Sequence, residues 1–155
     1  MRGAAHLLLL RLIMSEPLRI LVVEDENDLA HMVATVLGGP AAKLTMASNG
    51  WEALMRIGAA SRPFDVVITG HRMPRMGGLQ LVQRLRAKDF AGKILVLSGH
   101  LSDEDISAYE ALSVDMMMSK PFDFDELQEA MIILNKKPSV LTAALSPQDL
   151  VGADL

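Results

Sequence analysis

Four side chains with chemical potential fall just beyond short apolar runs: the adjacent carboxylates Glu24 and Asp25, the hydroxyl of Ser98 and the ammonium of Lys120. Paired carboxylates suit a hard divalent cation such as Mg²⁺, which prefers oxygen ligands. Phosphoryl transfer needs a metal, a fixed positive charge, a hydroxyl donor and a nucleophile. The first three are supplied by these residues. The nucleophile is not among them.

Position for these groups must come from the elements between them. Arg19 to Val23 is a continuous apolar run of strand length, as in a strand buried on both faces. Leu29, Met32, Val33, Val36 and Leu37 then recur at the spacing of one helical face. Gly38-Gly39-Pro40 is expected to stop that helix, Gly by accepting positive φ and Pro by refusing to continue. Lys43 to Ala47 reads as a second strand, and Asn49-Gly50 as a turn before a helix marked by Trp51, Leu54, Ile57 and Gly58. Phe64 to Thr69 is the third strand. A loop with Pro74 and Gly77-Gly78 leads to a helix presenting Leu79, Val82 and Leu85.

Lys93 to Ser98 is the clearest strand. Ser102, with Asp105 three residues on, has the pattern of a capping box for a helix reaching Leu112. Val114 to Met118 is the fifth strand, and Asp123 with Glu126 opens a last helix bearing Phe124, Leu127, Met131 and Leu134. Five βα units in a row imply an α/β fold, a doubly wound parallel five-stranded sheet with helices on both faces. In such folds the working site lies at the carboxyl ends of the strands. Glu24, Asp25, Gly70, Ser98 and Lys120 are therefore expected to meet.

A chain of 155 residues, half of them hydrophobic, suits a single domain with a substantial core. With one Trp, one Tyr and four Phe, that core must be aliphatic, helped by 11 Met. The absence of Cys excludes disulfides and thiolate metal sites. A net charge of −4 gives no drive toward nucleic acid, and a cytoplasmic home is the default expectation.

Residues 1–17 read as an N-terminal extension, a short helix or a stretch upstream of a start at Met14. Leu7 to Leu10 is far shorter than the ~20 apolar residues of a membrane span. Arg11 interrupts it, and no small-residue cleavage site follows. Residues 18–135 form the expected domain. Residues 136–155 read as a flexible tail with a short helix beginning at Ser146-Pro147, too short for an output domain, so output is expected in a partner.

Five segments in register resemble the receiver domains of bacterial two-component systems, whose fold is described as flavodoxin-like or CheY-like. They are Ile20 to Glu26, Asp65 to Thr69, Arg72 to Gly78, Leu97 to His100 and Ser119 to Phe122, and the resemblance covers about Leu18 to Leu134. It implies that Glu24 and Asp25 are the acidic pair, with Asp25 the direct metal ligand. Ser98 matches the residue that senses the phosphoryl group, Lys120 the family's lysine, and Lys120-Pro121 a bond usually held cis. Arg72 stands where the family places a backbone carbonyl on the metal. The phosphoacceptor aspartate falls at Gly70. Met117 stands where many receivers carry a switching Tyr or Phe, and methionine can repack but has no ring to swing.

The physical consequences follow. Gly70 cannot carry an acyl phosphate, and with one of three carboxylates lost, Mg²⁺ should bind weakly; no other cofactor is expected. Lys120, without its nearest counter-ion, should turn to Asp25 or Glu24, a pairing able to hold one conformation permanently. His71, Arg72 and Arg75 add positive charge to the same loop. Plainer roles stand beside these. Glu24 and Asp25 serve as loop acids at a helix N-terminus, His71 as a surface loop residue, Lys120 as a tie between strands five and one, and Met116 to Met118 as the two faces of a strand.

The expected function is that of an atypical single-domain response regulator, a pseudo-receiver acting in two-component or phosphorelay signalling by phosphorylation-independent protein binding, and not an enzyme. The expected partner is a histidine kinase, a phosphotransfer protein or an output protein, or a second copy in a homodimer, with neither nucleic acid nor membrane involved. The binding face would draw on Ser102 to Leu112, Met116 to Met118 and Asp123 to Leu134. The alternative is a working phosphotransfer receiver with an unorthodox acceptor: Asp25 first, with Glu24, His71 and Ser98 the other candidates. A flavodoxin-like cofactor binder fits poorly, because the acidic loop Glu24 to Asp28 would repel a phosphate.

Overall fold

Side chains alternate between the two faces of a strand, and that alternation builds two separate cores here. The computed structural model describes residues 16–135. Residues 1–15 of the N-terminal extension and the tail, with its helix expected at Ser146-Pro147, lie outside the described residues. The strands are β1 (Leu18–Val23), β2 (Ala42–Ala47), β3 (Val66–Gly70), β4 (Lys93–Ser98) and β5 (Met116–Ser119). The helices are α1 (Asn27–Leu37), α2 (Gly50–Ala59), α3 (Gly78–Ala87), α4 (Asp103–Ala111) and α5 (Phe124–Asn135). All the pairings are parallel and the strand order is β2-β1-β3-β4-β5, the doubly wound architecture expected.

Leu21, Val23, Val67, Ile94 and Val96 point to one face, where Ala53 of α2, Leu81, Val82 and Leu85 of α3 and Tyr109 of α4 cover them. Ile20, Val22, Val66, Ile68, Leu95 and Leu97 point to the other, covered by Val33 of α1 and Leu127, Met131 and Leu134 of α5. Each such large aliphatic side chain, removed from water, contributes about 1.5–3 kcal/mol before the entropy of ordering is subtracted. The methionine run splits the same way. Met117 packs against the first core, and Met116 and Met118 against the second.

Some boundaries match the sequence reading and others differ for local reasons. α1 ends where Gly38-Gly39-Pro40 was expected to stop it, with the positive φ, 159°, at Gly39 and a φ of −68° at Gly38. At Gly38 glycine is favoured by crowding, since a Cβ would lie 2.6 Å from the Ala34 carbonyl oxygen. β5 starts two residues late because Val114 still donates its N–H to the Tyr109 carbonyl at the end of α4. Gly70 is the last residue of β3 rather than a residue beyond it, and β4 runs from Lys93 to Ser98 as expected. The capping box expected at Ser102 is present, with Asp105 N–H donating to Ser102 Oγ at 3.1 Å and Ser102 N–H to Asp105 Oδ2 at 3.4 Å. Asp123 and Glu126 exchange the same pair of bonds at the start of α5.

A candidate signalling pocket at the carboxyl end of the sheet

Parallel register brings the ends of β1, β3, β4 and β5 side by side. Val23 pairs with Thr69, Gly70 with Leu97, and Ser98 with Ser119. Glu24, Gly70, Ser98 and Lys120 therefore gather as the sequence reading expected. The Lys120 N–H donates to the Ser98 carbonyl at 2.8 Å, and the Lys120–Pro121 bond is cis. Ser98 is buried, and its hydroxyl donates to the His100 carbonyl at 3.0 Å. Asp25 and Arg72 stand exposed at the rim. A cleft of about 420 Å³ opens here between Glu26, Arg72, His100 and Lys120.

Glu24 holds the centre. Its side chain is 2% exposed, and Lys120 Nζ donates to its Oε1 at 3.1 Å, with Glu26 3.9 Å from the same ammonium. Of the two partners open to Lys120 in the sequence, Glu24 is the one it takes. The other oxygen, Oε2, is buried without a hydrogen-bond partner among the described residues. Burial pushes the Glu24 carboxyl above its ordinary value of 4.5; Lys120 pulls it down and the Asp25 charge pushes it further up. A carboxyl in this position retains its proton longer than a solvated one.

Gly70 faces that orphaned oxygen. A Cβ built at position 70 would lie 2.5 Å from Glu24 Oε2 and 3.6 Å from Met73 Sδ. The Glu24 carboxyl thus lies in the space a side chain at the end of β3 would enter. For Mg²⁺ the donor set is poor. Oε1 is committed to Lys120, and among the described residues no three Asp, Glu or His side chains converge. An octahedral oxygen shell drawn from Asp25, Glu24 and the Arg72 carbonyl would need water at its remaining positions, and Glu24 Oε1 could join it only by giving up Lys120.

His71, read from the sequence as a surface loop residue, is instead a structural link. Its side chain is only 13% exposed, and its Nε2 lies 3.3 Å from Asp105 Oδ2. Its Nδ1 lies 2.6 Å from the hydroxyl of fully buried Tyr109, the rings meeting edge-on. The partners select the tautomer of the neutral ring. A carboxylate only accepts, so Nε2 carries the hydrogen and Nδ1 accepts from the Tyr109 O–H. Burial raises the Tyr109 hydroxyl, and the Asp105 charge adds to that, so it remains a donor. The Ser102 hydroxyl, and then His71, hold Asp105 below its ordinary value. The signal for this link was present in the chain's one tyrosine, since a buried tyrosine hydroxyl demands a partner. Nothing in the sequence pointed to His71 as that partner.

Space for the link depends on Gly78 at the start of α3. Its N–H donates to the His71 carbonyl at 2.8 Å, and a Cβ there would overlap the Gly70 carbonyl and lie 3.0 Å from the Tyr109 hydroxyl. Met117 lies half-buried in the first core, on the same side of the sheet as Tyr109.

Comparison with known proteins places this geometry. A response regulator receiver protein of Anaeromyxobacter sp. is 34% identical over 103 residues, covering 66% of this chain and 42% of that protein. The probable transcriptional regulatory protein TcrX of Mycobacterium tuberculosis is 31% identical over 137 residues, covering 88% of this chain and 58% of its own length. The chain thus spans about half the length of these two curated relatives. The chemotaxis response regulator CheY4 of Vibrio cholerae superposes with a TM-score of 0.69 at 27% identity, covering 76% of this chain and 98% of that one. Among the described residues no helix is long and apolar enough to cross a membrane. The model of the response regulator receiver domain matches residues 20–132, so the chain belongs to that family of two-component signalling domains.

Proposed function

We propose that this receiver signals by protein binding without being phosphorylated. The observation that carries the reading is Gly70 at the end of β3, with the Glu24 carboxyl lying over it and paired with Lys120. An acyl phosphate needs a carboxylate at the point of attack, and glycine supplies none. The lysine that would face a phosphoryl group is already neutralised from within. On this reading Glu24, Asp25, Ser98 and Lys120 are the remnant of a phosphorylation pocket, Met117 is a switch position without its ring, and any cation is held weakly. The partner is a histidine kinase, a phosphotransfer protein or an output protein, met on the face formed by α4, β5 and α5.

The test is intact mass after incubation with Mg²⁺ and a small-molecule phosphodonor, for the native chain and for Gly70→Asp. The expected result is an unmodified native chain and a variant that gains one phosphoryl group. Phosphorylation of the native chain, at Asp25 or elsewhere, overturns the reading. If neither chain reacts, the Glu24–Lys120 pair has closed the pocket beyond repair by one substitution, and binding without phosphorylation stands.

A further inference from the structure

The stretch from Asp103 to Asn135, which supplies α4, β5 and α5, holds nine of the chain's 19 Asp and Glu residues and one basic residue, Lys120. That lysine is turned inward to Glu24. Of the nine acids, Asp115 is answered by Lys93 at 3.6 Å and Asp105 by His71 at 3.3 Å, while Glu126 and Glu129 beside β5 have no Lys or Arg partner among the described residues. The edge strand β5 is flanked by two grooves that share Met118 and Ser119. The groove toward α5 is about 440 Å³; Met116, Met118 and Ile133 provide its apolar lining, and Glu126 and Glu129 stand beside them. Ile133 is 52% exposed and the adjacent Ile132 63%. The groove toward α4 adds Leu101, Ile106 and Met117.

We infer that this face receives a cationic amphipathic helix of a partner protein. Its apolar side seats on Met116, Met118 and Ile133, and its Lys and Arg side chains reach Glu126 and Glu129. The inference rests on the binding-module reading above and names the chemistry of the partner. An apolar floor with a charged border is read by a helix with anchors at i, i+3, i+4 and i+7. Methionine adapts its shape to such anchors. The one-signed border attracts an opposite charge and repels a like one. A second copy is disfavoured by the same feature, because a two-fold interface sets a face against itself and here would place acid against acid.

The probe is a labelled 18-residue peptide with Leu on one helical face and Lys on the other, titrated into the full chain beside a peptide with Glu in place of Lys. The Lys peptide is expected to bind at least about tenfold more tightly than the Glu peptide, and to weaken as salt screens the contact. Methyl resonances of Met116, Met118 and Ile133 should shift on binding. Glu129→Lys and Ile133→Ser, both at exposed positions, should each weaken binding at least about fivefold at unchanged melting temperature. Equal binding of the two peptides, indifference to both substitutions, or shifts confined to another face overturns the proposal. So does a dimer in sedimentation that Ile133→Ser dissolves. The intact-mass assay decides the underlying reading separately, since a chain that binds the Lys peptide and also accepts phosphate removes only that reading.

Discussion

Gly70 sits within β3, where the backbone admits any side chain, so its effect lies in the group it lacks. The neighbour that profits is Glu24, whose flexible end fills the room. In Gly70→Asp two carboxylates compete for Lys120, and like charges at one site disfavour ionisation of both. The variant is therefore expected to melt below the native chain in the absence of Mg²⁺. Added Mg²⁺ should raise its melting temperature more than it raises that of the native chain. Equal Mg²⁺ responses in a melting series would show that Glu24 does not yield its position.

Glu24 also makes a pH prediction. Burial raises its folded-state value above 4.5, so the folded protein holds that proton more tightly than the unfolded chain. Its contribution to stability is then fully present below 4.5 and is lost as pH rises through the raised value. Glu24→Gln, which keeps an acceptor for Lys120, should melt above the native chain at neutral pH. The gap should close as the pH is lowered toward 4.5. A gap that widens on acidification would mean that the Lys120 contact, rather than burial, dominates the carboxyl.

Among the elements, α4 and α5 are anchored differently. α5 buries Leu127, Ala130, Met131 and Leu134, a continuous apolar stripe. Leu127→Ala should cost about 2–5 kcal/mol in denaturant unfolding, whereas Ile132→Ser on the outer face should stay within about 0.5 kcal/mol. α4 fully buries only Tyr109, with Ile106 and Ala108 half-buried, so the Tyr109 ring and its hydroxyl bonded to His71 carry a large share of its attachment. Tyr109→Phe leaves His71 Nδ1 without its donor and is expected to cost about 1 kcal/mol. Amide exchange in α4 should quicken in that variant while α5 is unchanged. If both helices respond alike, the His71 link is not what holds α4.

At the scale of the molecule, the sheet is the rigid part and the proposed binding face is its edge. The central strands β1, β3 and β4 are buried on both sides, while β5 has four residues and an outer edge unpaired among the described residues. The His71 link runs from the loop beside Gly70 to Asp105 and Tyr109 of α4. It thus connects the pocket to the face that would meet a partner. His71→Ala should therefore alter affinity for a partner on that face, measured by titration with the Lys peptide, without touching any residue of the groove. Unchanged affinity would confine the link to stability.

Local pattern was enough for the order of five strands and five helices, for the two capping boxes and for the gathering of Glu24, Gly70, Ser98 and Lys120. The reason is that periodicity and cap chemistry are short-range, and in a parallel sheet every strand delivers its end to the same side. The start of β5 was misread because a last helical turn, closed by the Val114 N–H on the Tyr109 carbonyl, holds the chain beyond α4. Only the tertiary structure decided which carboxylate Lys120 takes, since Glu24 and Asp25 are neighbours in sequence and only one of them points inward. It alone paired His71 with Tyr109, 38 residues apart. Contacts of that range depend on how helices seat on the sheet, and no local spacing encodes them.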